Sequence, residues 1–156
     1  MADLSARRRL FARRTAVAAV CGLALVIGAA VRPAAVESAA AGPALYAAAQ
    51  AASGGKTYTS SCAQCHGENL EGGVGPALRG PNLVRLAKKT KLTVGDFFQF
   101  LALQMPLNAP ASLSHDQYAG VMAYILKRNG YPAGSKALTY AAAMSSPAIM
   151  TTYPGR

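Results

Sequence analysis

The chain has 156 residues, 16 Lys and Arg against 6 Asp and Glu, and a formal net charge of +10. Apolar residues make up 52%, but many are alanines in the first third, so the length leaves material for one small core with an appendage and excludes a large multidomain assembly. Basic charge alone would admit nucleic acid, an anionic membrane or an acidic protein as partner; no nucleic-acid-binding signature and no interleaving of aromatic and basic residues supports the first, which is set aside.

At the N-terminus, Arg7, Arg8, Arg9, Arg13 and Arg14 precede an uncharged run from Thr15 to Val31. Small residues follow, with an Ala-x-Ala exit at Ala39-Ala40-Ala41. That is the layout of a secretory signal. The run is longer than most signal cores and close to the shortest spanning helices. Residues 1–41 therefore read either as a cleaved signal peptide or as an N-terminal anchor, held by residues 15–31 and followed by an Ala-rich linker. In both cases five arginines before the run and one after it keep the N-terminus inside and send the domain to the periplasm. "RRLFAR" resembles a twin-arginine signal, and Cys21 reads as filler within the apolar run. Beyond residue 41 the chain keeps 10 basic and 4 acidic residues, a net of +6.

Gly54 and Tyr58 lie eight and four residues before Cys62 and share one helical face. Then comes "SCAQCHG", with Cys62, Cys65 and His66. A structural zinc would need four ligands, usually two such pairs, and only Cys62, Cys65, His66 and the distant His115 are at hand. A redox dithiol would follow a strand at a helix start, and no alternating pattern precedes Ser61. Cys-x-x-Cys-His is also the attachment pattern of a c-type haem: two thiols about one helical turn apart add to the two vinyl groups, and the adjacent histidine is presented to the iron.

Downstream companions favour the third reading. "GPALRG" (Gly75 to Gly80) follows a glycine-rich loop. Arg85, Lys88, Lys89 and Lys91 then form a basic run that is either a solvated face or a docking patch. "LTVGDFFQFLALQMP" predicts a helix: Thr93 and Asp96 make a capping box, Phe97 and Leu101 share a face, and it ends at Met105 before Pro106. In "SHDQYAGVMAYILKRNGYP", Ser114 and Gln117 make a second capping box. Tyr118, Val121, Tyr124 and Ile125 form its apolar face, and Asn129-Gly130 with Pro132 ends it. His115 reads as a surface residue and Met122 as core. Residues 135–156 have weak periodicity and read either as disordered or as a strap against a partner.

The sequence of CAQCH, GPAL, QMP and AYIL resembles class I monohaem cytochromes c, over about Ala52 to Gly134. The resemblance implies an all-α fold in which first and last helices cross near one haem, with one or two shorter helices and long loops. Its cytochrome domain would span 42–134, before a C-terminal tail, 135–156. It implies haem c bound covalently through Cys62 and Cys65, and His66 and Met105 as axial ligands. Pro76 would supply the carbonyl that orients the free ring nitrogen of His66. Gly54, Tyr58 and Tyr124 would form the helix crossing.

The stretch "MPLNAPASLSHDQYAGVMAYILKRNGYPAG" is similar to cytochromes that accept electrons from periplasmic quinoprotein (pyrroloquinoline quinone) alcohol or aldehyde dehydrogenases, or are fused to them. Ala111 departs from the glycine expected in "PGSLS". The implied function is a one-electron carrier, not an enzyme, between such a dehydrogenase and an oxidase or other cytochrome. Membrane contact is implied only if the N-terminal segment is retained. The alternative is a haem enzyme or ligand-binding haem protein, which needs an open iron position and distal acid/base residues.

Overall fold

A computed structural model describes residues 42–153; the expected export segment, residues 1–41, lies outside them. A two-residue strand β1 (Tyr46–Ala47) leads into helices α1 (Ala48–Ser61), α2 (Ala63–His66), α3 (Pro81–Thr90), α4 (Val94–Gln104) and α5 (His115–Arg128). A second short strand β2 (Ala133–Gly134) and helix α6 (Tyr140–Met144) follow. The strands pair in parallel, Tyr46 with Ala133 and Ala47 with Gly134. Helices otherwise build the fold, and the strand pair stitches the start of α1 to the chain leaving α5.

The centre of the molecule is the crossing of α1 and α5. Gly54 and Gly120 meet there without side chains: a Cβ on Gly120 would stand 3.3 Å from Gly54 Cα, and one on Gly54 would run into the Gly120 carbonyl. Backbones this close let Ala51, Tyr58, Val121 and Ile125 close over the contact, all fully buried. The Tyr58 and Tyr124 rings pack at 5.2 Å between centroids. Gly120 is the half of this contact that the sequence reading misses, because a glycine inside a helical pattern looks only like a weak point.

Between the glycine loop and α4, the basic run folds as helix α3. Pro81 begins it, after Gly80 at φ 81, and Lys91 ends it in the left-handed region. Leu83 and Ala87, one turn apart, are its buried stripe, while Arg85, Lys88 and Lys89 are exposed. At α4, Thr93 accepts from the Asp96 N–H and Asp96 accepts from the Thr93 N–H, so the capping box is closed in both directions. Ser114 and Gln117 do the same for α5.

Residues 135–153 form a strap on their own domain. Gln50 holds Leu138 twice, donating to its carbonyl at 2.7 Å and accepting its N–H at 2.8 Å. The Val94 and Gly95 N–H groups, orphans of the first turn of α4, donate to Ala148 O at 2.7 Å and Ser146 O at 3.0 Å. Met150 N–H donates to Leu92 O at 2.9 Å, and Met150 is fully buried. Weak periodicity has a physical cause here: backbone bonds to the domain hold the strap, not one continuous apolar face. By capping α4, the strap also fixes the helix that ends at Met105.

Candidate functional site

Cys62 closes α1 and opens α2. Its N–H donates to Tyr58 O at 2.9 Å, and its carbonyl accepts from Cys65 N–H at 3.2 Å and His66 N–H at 3.0 Å. One helical turn thus carries a cysteine at each end, with His66 next. Cys62 is half-buried, Cys65 is exposed, and neither is in a disulfide. Burial pushes the Cys62 thiol up to about 11, with Cys65 adding a smaller push, so at neutral pH it is a thiol and not a thiolate.

His66 is positioned by the loop that follows. Gly67 (φ 80) and Gly72 (φ 94) take conformations that side chains disfavour, and they turn the chain back. Gly72 N–H donates to His66 O at 2.8 Å and Gly75 N–H to Cys65 O at 2.8 Å. The Tyr58 hydroxyl donates to Gly67 O at 2.6 Å, which ties the turn to α1. A Cβ on Gly75 would stand 2.8 Å from His66 Cε1, so only glycine lets the loop lie against the ring. The next carbonyl, Pro76 O, sits 2.8 Å from His66 Nδ1. A carbonyl can only accept, so Nδ1 donates this bond and Nε2 is the ring nitrogen left for another partner. The bond fixes the ring's orientation and leaves Nε2 as the nitrogen that can face a metal.

Met105 is the C-cap of α4, with extended backbone (φ −115, ψ 153), and its N–H donates to Leu101 O at 3.2 Å. It is half-buried against the same core as Cys62, Leu78, Leu92, Phe97 and Leu113. Its carbonyl accepts from the Tyr118 hydroxyl at 2.6 Å. Tyr118 reads from the sequence as part of an apolar face only; its signal for more is a polar tip at a core position. Asn129, which the sequence marks only as a helix stop, is buried and donates to Leu78 O at 3.0 Å and Ile125 O at 2.9 Å. It joins the end of α5 to the GPAL loop.

Other donors are engaged elsewhere. His115 is exposed and stacks on Tyr140 at 3.9 Å. Met122 and Met150 are fully buried, and Met144 packs half-buried against the core. Positive charge gathers in two places. Arg85, Lys88, Lys89 and Lys91 are exposed along α3 and its end. Arg79, Lys127 and Arg128 line a cleft of about 550 Å³ that has no Asp or Glu in its wall.

Among the described residues, no group of three or more His, Cys, Asp or Glu side chains is placed to hold a metal ion. Cys62 follows helix α1, not a strand, so the context of a βαβ redox dithiol is missing too. The residues do fit a haem c. Two free thiols on one turn can form two thioethers, and His66 offers Nε2 to iron.

Residues 49–125, just under half of the chain, match the family described as "Cytochrome C oxidase, cbb3-type, subunit III". The chain is also similar to cytochrome c-552 of Schinkia azotoformans, 89% identical over 18 residues, which are 12% of this chain and 34% of that protein. The match therefore spans about a third of that relative's length. No solved structure matches the chain. Attachment turn, oriented imidazole and these two similarities support a class I c-type cytochrome domain, with one haem c bound covalently through Cys62 and Cys65.

Proposed function

We propose that the protein is a one-electron carrier in which His66 Nε2 and the Met105 thioether fill both axial positions of the haem iron. Haem c supplies the redox chemistry, gaining and losing one electron at iron. The chain's part is to hold two ligands and exclude others. The observation that carries this reading is the pair of fixed donors: an imidazole whose Nδ1 is tied to Pro76 O at 2.8 Å, and a methionine at the end of a doubly capped helix. A thioether ligand favours the reduced state relative to a second histidine and so raises the potential. The rival reading, a peroxidase or gas-binding protein, needs an open position and a proton-handling side chain near it. Among the described residues the second imidazole, His115, is exposed and stacked on Tyr140, which disfavours it.

The donor in this proposal is a periplasmic dehydrogenase of the quinoprotein class, supported by the stretch from Met105 to Gly134. The acceptor is a terminal oxidase or another cytochrome; the family description, which names an oxidase subunit, supports that end. The exposed lysines of α3 serve as the docking face for an acidic partner. No helix among the described residues is long and apolar enough to cross a membrane. Membrane contact in this reading exists only where residues 15–31 are retained as an anchor; cleaved or retained, their signal-like pattern supports the periplasmic location. Met105→Ala tests the reading: covalent haem is retained, the ferric protein leaves the six-coordinate low-spin state, and it binds imidazole or cyanide readily. An unchanged ferric spectrum would overturn the ligand assignment.

A further inference from the structure

Tyr118 stands on α5 with 2% of its surface exposed. A phenol this deep keeps its hydroxyl paired, and both of its partners lie in the loop that follows α4. The hydroxyl donates to Met105 O at 2.6 Å and accepts from Leu113 N–H at 3.4 Å. One side chain therefore holds the two ends of the loop from Met105 to Leu113. Between those ends the loop is exposed from Leu107 to Ser112. Its internal backbone bond is Ala109 N–H to Pro106 O at 2.9 Å, and Ala111 sits at φ 55, a region a side chain disfavours. The loop is weakly held by itself and firmly held by α5.

Resting on the proposed ligation, we infer that Tyr118 is a positioning residue for the Met105 thioether: its hydroxyl keeps the ligand loop closed from the far side. Any event that swings Met105 outward must first break the bond to its carbonyl. Losing that buried pairing leaves an unmatched carbonyl and N–H behind, and should raise the population of the open loop about tenfold. The sulfur donor itself is untouched by such a change, so the effect appears as easier ligand replacement, not as loss of the bond.

The test uses the full haem-loaded protein with three variants. Tyr118→Phe keeps the ring and removes the hydroxyl. Tyr46→Phe is the control, since Tyr46 is equally buried and donates to Tyr131 O at 2.7 Å, in another part of the domain. Met105→Ala reports on the ligation itself. Two readouts separate positioning from general destabilisation: imidazole affinity of the ferric protein, and the pH at which the far-red sulfur-to-iron band disappears. Tyr118→Phe should bind imidazole about tenfold more tightly and lose the band about one pH unit earlier. Tyr46→Phe should do neither, although guanidinium unfolding shows a comparable loss of stability. Equal shifts in both tyrosine variants, or no shift in Tyr118→Phe while Met105→Ala loses the band, would overturn the inference and leave the ligation standing. A Met105→Ala spectrum like wild type would overturn the ligation and this inference with it.

Discussion

Gly54→Ala should be the most damaging single-methyl change in the domain, and helix propensity forecasts the opposite sign. In an ordinary helix interior, glycine to alanine stabilises by about 1 kcal/mol. Here the added Cβ would enter the Gly120 carbonyl and stand 2.8 Å from Val121 N. Both obstacles are backbone, so neither can rotate away. Restoring a carbon contact of about 3.5 Å requires α1 and α5 to part by more than about 1 Å, and a radial gap of that size forfeits up to about half of each dispersion contact across it. The neighbours that would lose contact are Ala51, Tyr58, Val121 and Ile125, all fully buried. Overpacking costs about 1–3 kcal/mol, and with the loosened neighbours we expect about 3 kcal/mol net, a large part of a typical stability of about 5–15 kcal/mol. Guanidinium unfolding of the haem-loaded protein, followed by circular dichroism, reads this directly. A Gly54→Ala variant as stable as wild type, or more so, would refute the close-approach argument.

Ala111→Gly should stabilise the ferric protein by about 0.5–1 kcal/mol, since φ 55 costs a side chain about 1–2 kcal/mol and glycine returns only part of that in chain entropy; thermal melts check it. At Asp96, the hydrogen bonds from the Thr93 hydroxyl and then from its N–H lower the carboxyl pKa. A carboxyl lowered on folding stabilises above the ordinary value of about 4, and that contribution fades as pH falls through the lower folded value. Asp96→Asn should therefore flatten the acid limb of a stability–pH profile and leave its slope above about pH 5 unchanged. Changing Lys88, Lys89 and Lys91 together to Glu should slow electron transfer with the donor about tenfold at low salt and flatten its salt dependence, with the haem spectrum unaltered. A stopped-flow rate equal to wild type at low salt would shift the docking face to the Arg79–Lys127–Arg128 cleft or to apolar contact.

The features legible in the sequence are those written within a few consecutive residues. Cys62, Cys65 and His66 are read from spacing because a covalent attachment to one porphyrin edge tolerates little variation. Capping boxes at Thr93–Asp96 and Ser114–Gln117 are equally local, since an N-cap and its partner are three residues apart. What stayed hidden depends on distant pairs. Gly120 acquires meaning only against Gly54, and Tyr118 only against the carbonyl of Met105. The strap from Leu138 to Met150 is held by backbone bonds that leave little periodic trace in the side chains. In α3 the buried stripe is short, Leu83 and Ala87, so the four basic residues dominate the reading and the helix beneath them is easily passed over. The cleft that joins Arg79 to Lys127 and Arg128 combines an early loop with the end of α5, which charge runs along the chain cannot reveal.

In the proposed carrier one haem passes single electrons with both axial positions filled by this chain. A spectroelectrochemical titration of the full protein, with optical spectra recorded in both oxidation states and again under carbon monoxide, tests it most directly. Axial ligation by His66 and Met105 should give a single reversible one-electron step between two six-coordinate low-spin forms, and a ferrous spectrum that carbon monoxide leaves unchanged at neutral pH. A five-coordinate high-spin ferrous form that takes up carbon monoxide at once would contradict it, and would make the protein a ligand-binding haem protein instead.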